Sequence, residues 1–273
     1  MTRELEISSP ANPRLRAAIA LRDARERART GATIIDGARE LRRALDSDAE
    51  VVEAFVCDPM LAGEDARVSL DTLSARAVPV HHVAPAAFAK LAFGDRAEGL
   101  VAVIRLPTRR LEGLVLPHDP LIVVVEGVEK PGNLGAILRS ADGAGADAVI
   151  AASPRTDLAN PNVIRASAGT VFAMPVVEAP TSDVMAWLRA RSLRIVTTRV
   201  EAARRYTDAD LTGPLAIVLG AEDEGLSERW SGPDIEAVSL PMRGIADSLN
   251  VSVTAAILLY EALRQRAHRG KER

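Results

Sequence analysis

The chain has 273 residues, 34 Lys+Arg against 37 Asp+Glu, a formal net charge of −3 and 48% hydrophobic residues, a balance that suits one large or two modest domains and excludes wholesale disorder. Cys57 is the sole cysteine, which excludes an intrachain disulfide and a four-thiolate zinc site; Glu4 and Glu6 with no apolar run behind them predict no secretory signal, and with no stretch of 18 apolar residues the expectation is a soluble, cytoplasmic protein that spans no membrane. Aromatic residues make up 3%, too few for a sheet that stacks RNA bases on rows of rings, and lysine occurs only at 90, 130 and 271, so arginine richness by itself is no nucleic-acid signal.

The stretch from Arg14 to Leu45 is polar and helical in character, with nine Arg against Asp23, Glu26, Asp36 and Glu40. Arg22, Arg25 and Arg29 recur at helical spacing, joined by Arg16 and Arg27, and read either as a solvated face with internal ion pairs or as a phosphate-contacting arm. Strands are predicted at 51–57, 78–83 and 99–104, alternating with helices, which gives a small α/β/α domain over residues 1–106. Adjacent His81 and His82 fall on opposite faces of a strand, so joint metal ligation is not expected. A proline-marked connector spans 107–119. Beyond it, over 120–273, Leu121–Val125 reads as a strand buried on both faces of a parallel sheet, followed by strands at Ala148–Ala152, Arg194–Thr198, Leu215–Leu219 and Ala237–Leu240. Helices are predicted at Leu134–Gly143, Asp183–Ala190 and Leu249–Arg266, an α/β parallel-sheet domain.

Three segments carry polar residues where such sheets place their ligand crevices. In the first, Glu126 to Arg139, Asn133 reads as a helix N-cap or a site residue, and Arg139 projects away from the apolar stripe of its helix. In the second, the strand runs into Gly220 and an acidic turn, Glu222-Asp223-Glu224, closed by Gly225; mutual repulsion turns at least two of these acids to water, and no metal-ligand spacing accompanies them. In the third, Ser239 to Val253, Ser248 reads as an N-cap. The helix after it is apolar nearly all round, so it is expected to be buried in a core or at a subunit contact, with Asn250 and Ser252 as buried groups that need partners. No dinucleotide fingerprint, phosphate-binding glycine loop or nucleophile elbow is present.

In this order and spacing, Pro131-Gly132-Asn133-Leu134-Gly135 with Arg139, Leu219-Gly220-Ala221-Glu222 with Gly225-Leu226, and Leu240-Pro241-Met242 with Ser248-Leu249-Asn250-Val251-Ser252-Val253 resemble the signature of the SpoU (TrmH) family of RNA 2′-O-ribose methyltransferases, within the SPOUT superfamily. Asn160-Pro161 and Arg165-Ala166-Ser167-Ala168-Gly169 are similar to its intermediate segment. The resemblance implies a parallel-sheet domain with a deep trefoil knot, preceded by a ribosomal-protein-like α/β/α RNA-binding domain. It implies S-adenosylmethionine as cofactor beside Gly220, Leu240, Met242 and Leu249, and Asn133, Arg139, Glu222, Ser248 and Asn250 as the catalytic set. It implies a homodimer with RNA as substrate, 23S ribosomal RNA above tRNA; from the residues themselves no metal is expected. Phosphates would be held by Arg22, Arg25, Arg29 and Arg165 and by the C-terminal Arg264, Arg266, Arg269 and Lys271. The chain departs from the pattern at Glu126, where Asp is commoner, and at Ala97-Glu98-Gly99, which lacks a His-Gln pair. A tRNA methyltransferase, a non-catalytic RNA- or ribosome-binding protein of the same fold, and a nucleotide-dependent oxidoreductase are the competing readings; the last lacks its glycine fingerprint.

Overall fold

The computed structural model describes residues 6–47, 49–94, 98–221 and 223–269, the side chain of Arg269 excepted. Two compact units divide the chain: residues 1–107 with 157–173, and residues 108–156 with 174–273.

The first unit begins with two short helices. Asn12 caps α1 (Pro13–Ala20), which has Pro13 in its first turn, and Asp23 caps α2 (Ala24–Thr30), each accepting from a main-chain N–H two residues on. Gly31, at φ 66°, ends α2 in the left-handed conformation that glycine adopts without steric cost. The chain then forms β1 (Thr33–Asp36), α3 (Ala38–Leu45), β2 (Glu50–Val56), α4 (Glu64–Ala75), β3 (Val80–His82), α5 (Pro85–Leu91) and β4 (Leu100–Arg105). The sheet order is β1-β4-β2-β3, with β2 and β3 parallel and the other pairs antiparallel. Leu15, Ile34, Phe55, Phe88 and Val101 share its core. β1 lies inside the stretch expected to be helical: Thr33-Ile34-Ile35 is β-branched throughout, and all four residues of the strand are buried. His81 and His82 take separate partners, Glu53 at 3.0 Å and Asp58 at 2.7 Å.

The second unit is built on β5 (Leu121–Glu126), α6 (Pro131–Gly143) and β6 (Ala148–Ala152). After α7 (Pro161–Ala166) and α8 (Thr170–Ala173) it continues with β7 (Val176–Ala179), α9 (Thr181–Ala190), β8 (Arg194–Thr198), β9 (Leu215–Leu219), β10 (Ile235–Val238) and α10 (Val251–Arg269). The six strands are parallel in the order β10-β8-β9-β5-β6-β7. β5 is buried at every residue, as its continuous apolar run predicts for a strand with neighbours on both sides. The order reverses between β5 and β9, and the loops after these two strands leave the sheet at its carboxyl edge.

Four details differ from the sequence reading. β7 was not expected, and β10 starts two residues before the predicted Ala237. Residues 107–119 are no free polar connector: Leu111 and Leu114 join the core, and Trp187 Nε1 donates to the Leu111 carbonyl at 2.8 Å. Residues 157–173, read from sequence as part of the C-terminal domain, belong to the first unit. There Asp157 pairs with buried Arg27 at 2.6 Å, and Thr33 donates to the Ala159 carbonyl at 2.5 Å. Among the described residues no helix is long and apolar enough to cross a membrane, and no group of three or more His, Cys, Asp or Glu could hold a metal ion.

Candidate active site

The three polar segments follow β5, β9 and β10. Lys130 stands at the N-cap of α6 and Pro131 at its first position, so Asn133 lies one turn inside the helix and is not its cap. Its Oδ1 instead accepts from Asn250 Nδ2 at 3.2 Å. Asn250, and not Ser248, opens α10. Its Oδ1 accepts from the Ser252 N–H at 2.9 Å and the Ser252 hydroxyl at 2.6 Å, and its carbonyl accepts from the Thr254 N–H. One amide thus caps a helix with its oxygen and reaches the first loop with its nitrogen. The expectation that Asn250 and Ser252 are buried fails: Asn250 is exposed and Ser252 half-buried. Arg139 is exposed on α6 and has no hydrogen bond or ion pair among the described residues.

In the second loop, a Cβ on Gly220 would lie 2.3 Å from the Gly225 carbonyl carbon and 2.4 Å from the Leu226 nitrogen, so only glycine fits there. The turn closes with the Gly225 N–H on the Ala221 carbonyl at 3.0 Å. Asp223 and Glu224 face water, in line with the repulsion argument; Glu222 lies outside the described residues. Arg155, from the loop after β6, donates to Glu224 at 2.6 Å. That hydrogen bond and the attraction of opposite charges lower the Glu224 pKa and raise that of Arg155. Glu126, buried at the end of β5, accepts from the Ser227 N–H at 2.8 Å, the Ser227 hydroxyl at 2.9 Å and the Thr181 hydroxyl at 3.1 Å, and so ties the second loop to the sheet.

The second and third loops, with the end of β8, line an open cavity of about 320 Å³. Gly220, Leu240, Met242 and Leu249 all line it, as does Ser248, with Thr198, Val238, Val251 and Thr254 beside them. A smaller pocket adjoins it through Gly220, Ala221, Asp223, Glu224 and Val251, and reaches Asn133. Apolar walls of Leu240, Met242 and Val251 suit a flat heterocycle, and the acids Asp223, Glu224 and Asp247 face the space against one cation, Arg199. Arg199 is itself tied to the Ser227 and Trp230 carbonyls at 3.3 Å. Such a lining fits S-adenosylmethionine, which carries a sulfonium and an ammonium against one carboxylate.

The expected phosphate-binding arginines separate by their partners. Arg22 caps α5, donating to the carbonyls of Lys90 at 3.0 Å and Leu91 at 2.5 Å, and burial lowers its pKa. Arg27 is buried against Asp157 and the Leu21 and Arg22 carbonyls. Arg29 pairs with Glu26 at 2.8 Å, and Arg165 donates to the Phe93 carbonyl and to Asn162. Arg16 and Arg25 are exposed and their guanidinium groups have no partner among the described residues. Of the C-terminal cations, Arg264 pairs with Glu261 and Arg266 holds the carbonyls of Leu211, Asp119 and Pro120; Lys271 and the Arg269 side chain lie outside the described residues. The sequence reading missed Arg155 and Arg199 as wall residues. Both come within three residues of the end of a parallel strand, the position that lines such crevices, and that was the available signal.

Residues 120–260 match the SpoU rRNA Methylase family, and residues 12–102 match the MRM3-like substrate binding domain. A 23S rRNA (guanosine-2'-O-)-methyltransferase RlmB of Vibrio parahaemolyticus is 32% identical over 85% of this chain and 96% of its own length. The crystal structure of an RNA 2'-O ribose methyltransferase superposes with a TM-score of 0.85 at 42% identity, covering 96% of this chain and 100% of that one. The SpoU methyltransferase AviRb from Streptomyces viridochromogenes, in complex with AdoMet, superposes with a TM-score of 0.84 at 31% identity over 94% of this chain and 100% of its own. With likeness of this extent in both sequence and fold, and a cavity that suits the same cofactor, the chain belongs to the SpoU rRNA methylase family, the AdoMet-dependent RNA 2′-O-methyltransferases.

Proposed function

We propose that this enzyme methylates a ribose 2′-hydroxyl of 23S ribosomal RNA. The hydrogen bond between Asn250 and Asn133 carries the reading, because it joins the first and third loops beside the cavity. Bound AdoMet supplies an electrophilic methyl group. Asn133 and Asn250 orient the ribose toward it, with Ser248 on the cavity wall and Glu222 in the second loop completing the polar set.

The hydroxyl must lose its proton as it attacks; no histidine lies in the three loops and a guanidinium is no base at neutral pH, so the proton passes to solvent water at the open site. Arg139, exposed and without a partner among the described residues, therefore stabilises the forming alkoxide and the neighbouring phosphate. The name of the full-length Vibrio relative supports ribosomal RNA as the substrate. Arg16 and Arg25 are exposed cations of the first unit, without partners for their guanidinium groups among the described residues, that would meet its phosphates, together with Arg29 and Arg165. A ribosomal substrate puts the enzyme in the cytoplasm.

The active form is a homodimer. Leu249, Val253, Tyr260 and Leu263 are 38%, 46%, 53% and 39% exposed in one chain, an apolar stripe along α10 and its approach that a second copy covers. The test is transfer from labelled AdoMet to ribosomal RNA lacking the modification, wild type beside Arg139→Ala. The expected result is one nucleotide resistant to alkaline cleavage, with transfer reduced about 10²–10³-fold in the variant. Transfer at full rate by Arg139→Ala refutes the role of Arg139, and label on a base refutes ribose methylation.

A further inference from the structure

Arg155 belongs to none of the three loops, yet it joins the segments that follow three adjacent strands. Its N–H donates to the Val128 carbonyl at 2.9 Å, after β5. Its Nη2 donates to Glu224 Oε2 at 2.6 Å, after β9, and its Nη1 stands 3.8 Å from Glu129 Oε2. Glu224 lines both the cofactor cavity and the pocket that reaches Asn133, whereas Arg155 lines only the second. The turn that carries Glu224 is bounded by Gly220 and Gly225 and holds three acids in a row, Glu222-Asp223-Glu224. Asp223 and Glu224 stand next to each other there, both exposed. Arg155, outside the turn, is the cation that attracts them, Glu224 most and Asp223 less.

We propose that Arg155 is a positioning residue for cofactor binding: through Glu224 it holds the Asp223–Glu224 wall shared by the cofactor cavity and the Asn133 pocket. The charges bear this out in direction, since each partner stabilises the ionised form of the other. A phosphate contact is the competing role for an arginine at this place. It is disfavoured because two carboxylates, Glu224 and Glu129, already face the guanidinium.

The test compares the full-length enzyme with Arg155→Gln, Arg155→Lys, Glu224→Gln and the Arg155→Gln/Glu224→Gln pair. AdoMet affinity is read by calorimetry, and kcat and both KM values by methyl transfer. Arg155→Gln is expected to weaken AdoMet binding about three- to fivefold, as for an ion pair open to solvent, with kcat at saturating AdoMet within about twofold of wild type. Arg155→Lys recovers most of the loss, and Arg155→Gln has no further effect once Glu224 is Gln. Unchanged AdoMet affinity in Arg155→Gln overturns the proposal. So does a double variant in which the two losses multiply, or a raised KM for RNA alone, which assigns Arg155 to phosphate.

Discussion

Residues of one type play unlike parts in this chain, and only their partners tell them apart. Arg22 and Arg266 spend their donors on main-chain carbonyls, where they close helix and loop ends, and Arg27 divides its donors between carbonyls and Asp157, while Arg139 has no partner among the described residues. Spacing gave Arg22, Arg25 and Arg29 one helical face; the carbonyls at the end of α5, which claim Arg22, lie 68 residues away and more. Glycine is easier to read. At Gly220 a methyl group meets main chain, at 2.3–2.5 Å from Gly225 and Leu226, and main chain cannot rotate aside as a side chain can. Gly220→Ala is therefore expected to cost about 1–3 kcal/mol in urea unfolding and to abolish AdoMet binding in calorimetry. A variant that binds AdoMet as wild type does would show that the two loop ends can part without harm.

At the scale of elements, the loops matter more than the strands they follow, and one buried carboxylate links them. Glu126 takes three hydrogen bonds, two from Ser227 and one from Thr181 at the start of α9. Removing the acceptor leaves the buried Thr181 hydroxyl with Ser153 alone and frees exposed Ser227 from the sheet, so Glu126→Ala is expected to lose about 1–3 kcal/mol in chemical denaturation. It should also weaken AdoMet binding, because Ser227 follows directly on the turn that walls the cavity. Loss of stability with unaltered AdoMet affinity would confine Glu126 to the core. Most elements were legible: β5, β6, β8 and β9 fall where apolar runs place them, because burial on both faces of a parallel sheet leaves an unbroken apolar signature. β1 was not, since its four residues sit among the arginines of α2 and α3, whose helical spacing dominated a window wider than the strand. The start of α10 was misread for a similar reason: Ser248 and Asn250 are both good caps, and the choice falls to Asn250, whose side chain has a donor left for Asn133.

At the scale of the molecule, α10 has one apolar face in the core and another exposed. Val251, Ala255, Leu258, Leu259 and Ala262 are buried, whereas Val253, Tyr260 and Leu263 meet solvent. Over its first three turns the helix is apolar on both faces, and the exposed one is the surface proposed for the dimer. Val253→Asp/Leu263→Asp is expected to fold, because both positions are exposed in the single chain, yet to sediment as a monomer and to lose methyl transfer. A double variant that stays dimeric would move the interface elsewhere; a monomeric wild type would remove it. The sequence argued for a helix buried in a core or at a subunit contact; the core claims one face, and the sedimentation of this variant tests the contact for the other.

The sequence by itself determined the α/β class, the alternation of strands and helices and the three polar loops. Each of these follows from local periodicity and from residues such as glycine and asparagine whose conformational demands are local. Tertiary structure alone decided which arginines are free, which asparagine caps α10 and that Asn133 meets Asn250 across 117 residues of chain. It also decided that residues 157–173 pack with the first unit and that Arg155 reaches Glu224. Hydrogen-bond and ion-pair partners are set by distances of about 3 Å between side chains brought together by the fold, and spacing along the sequence carries no record of those distances.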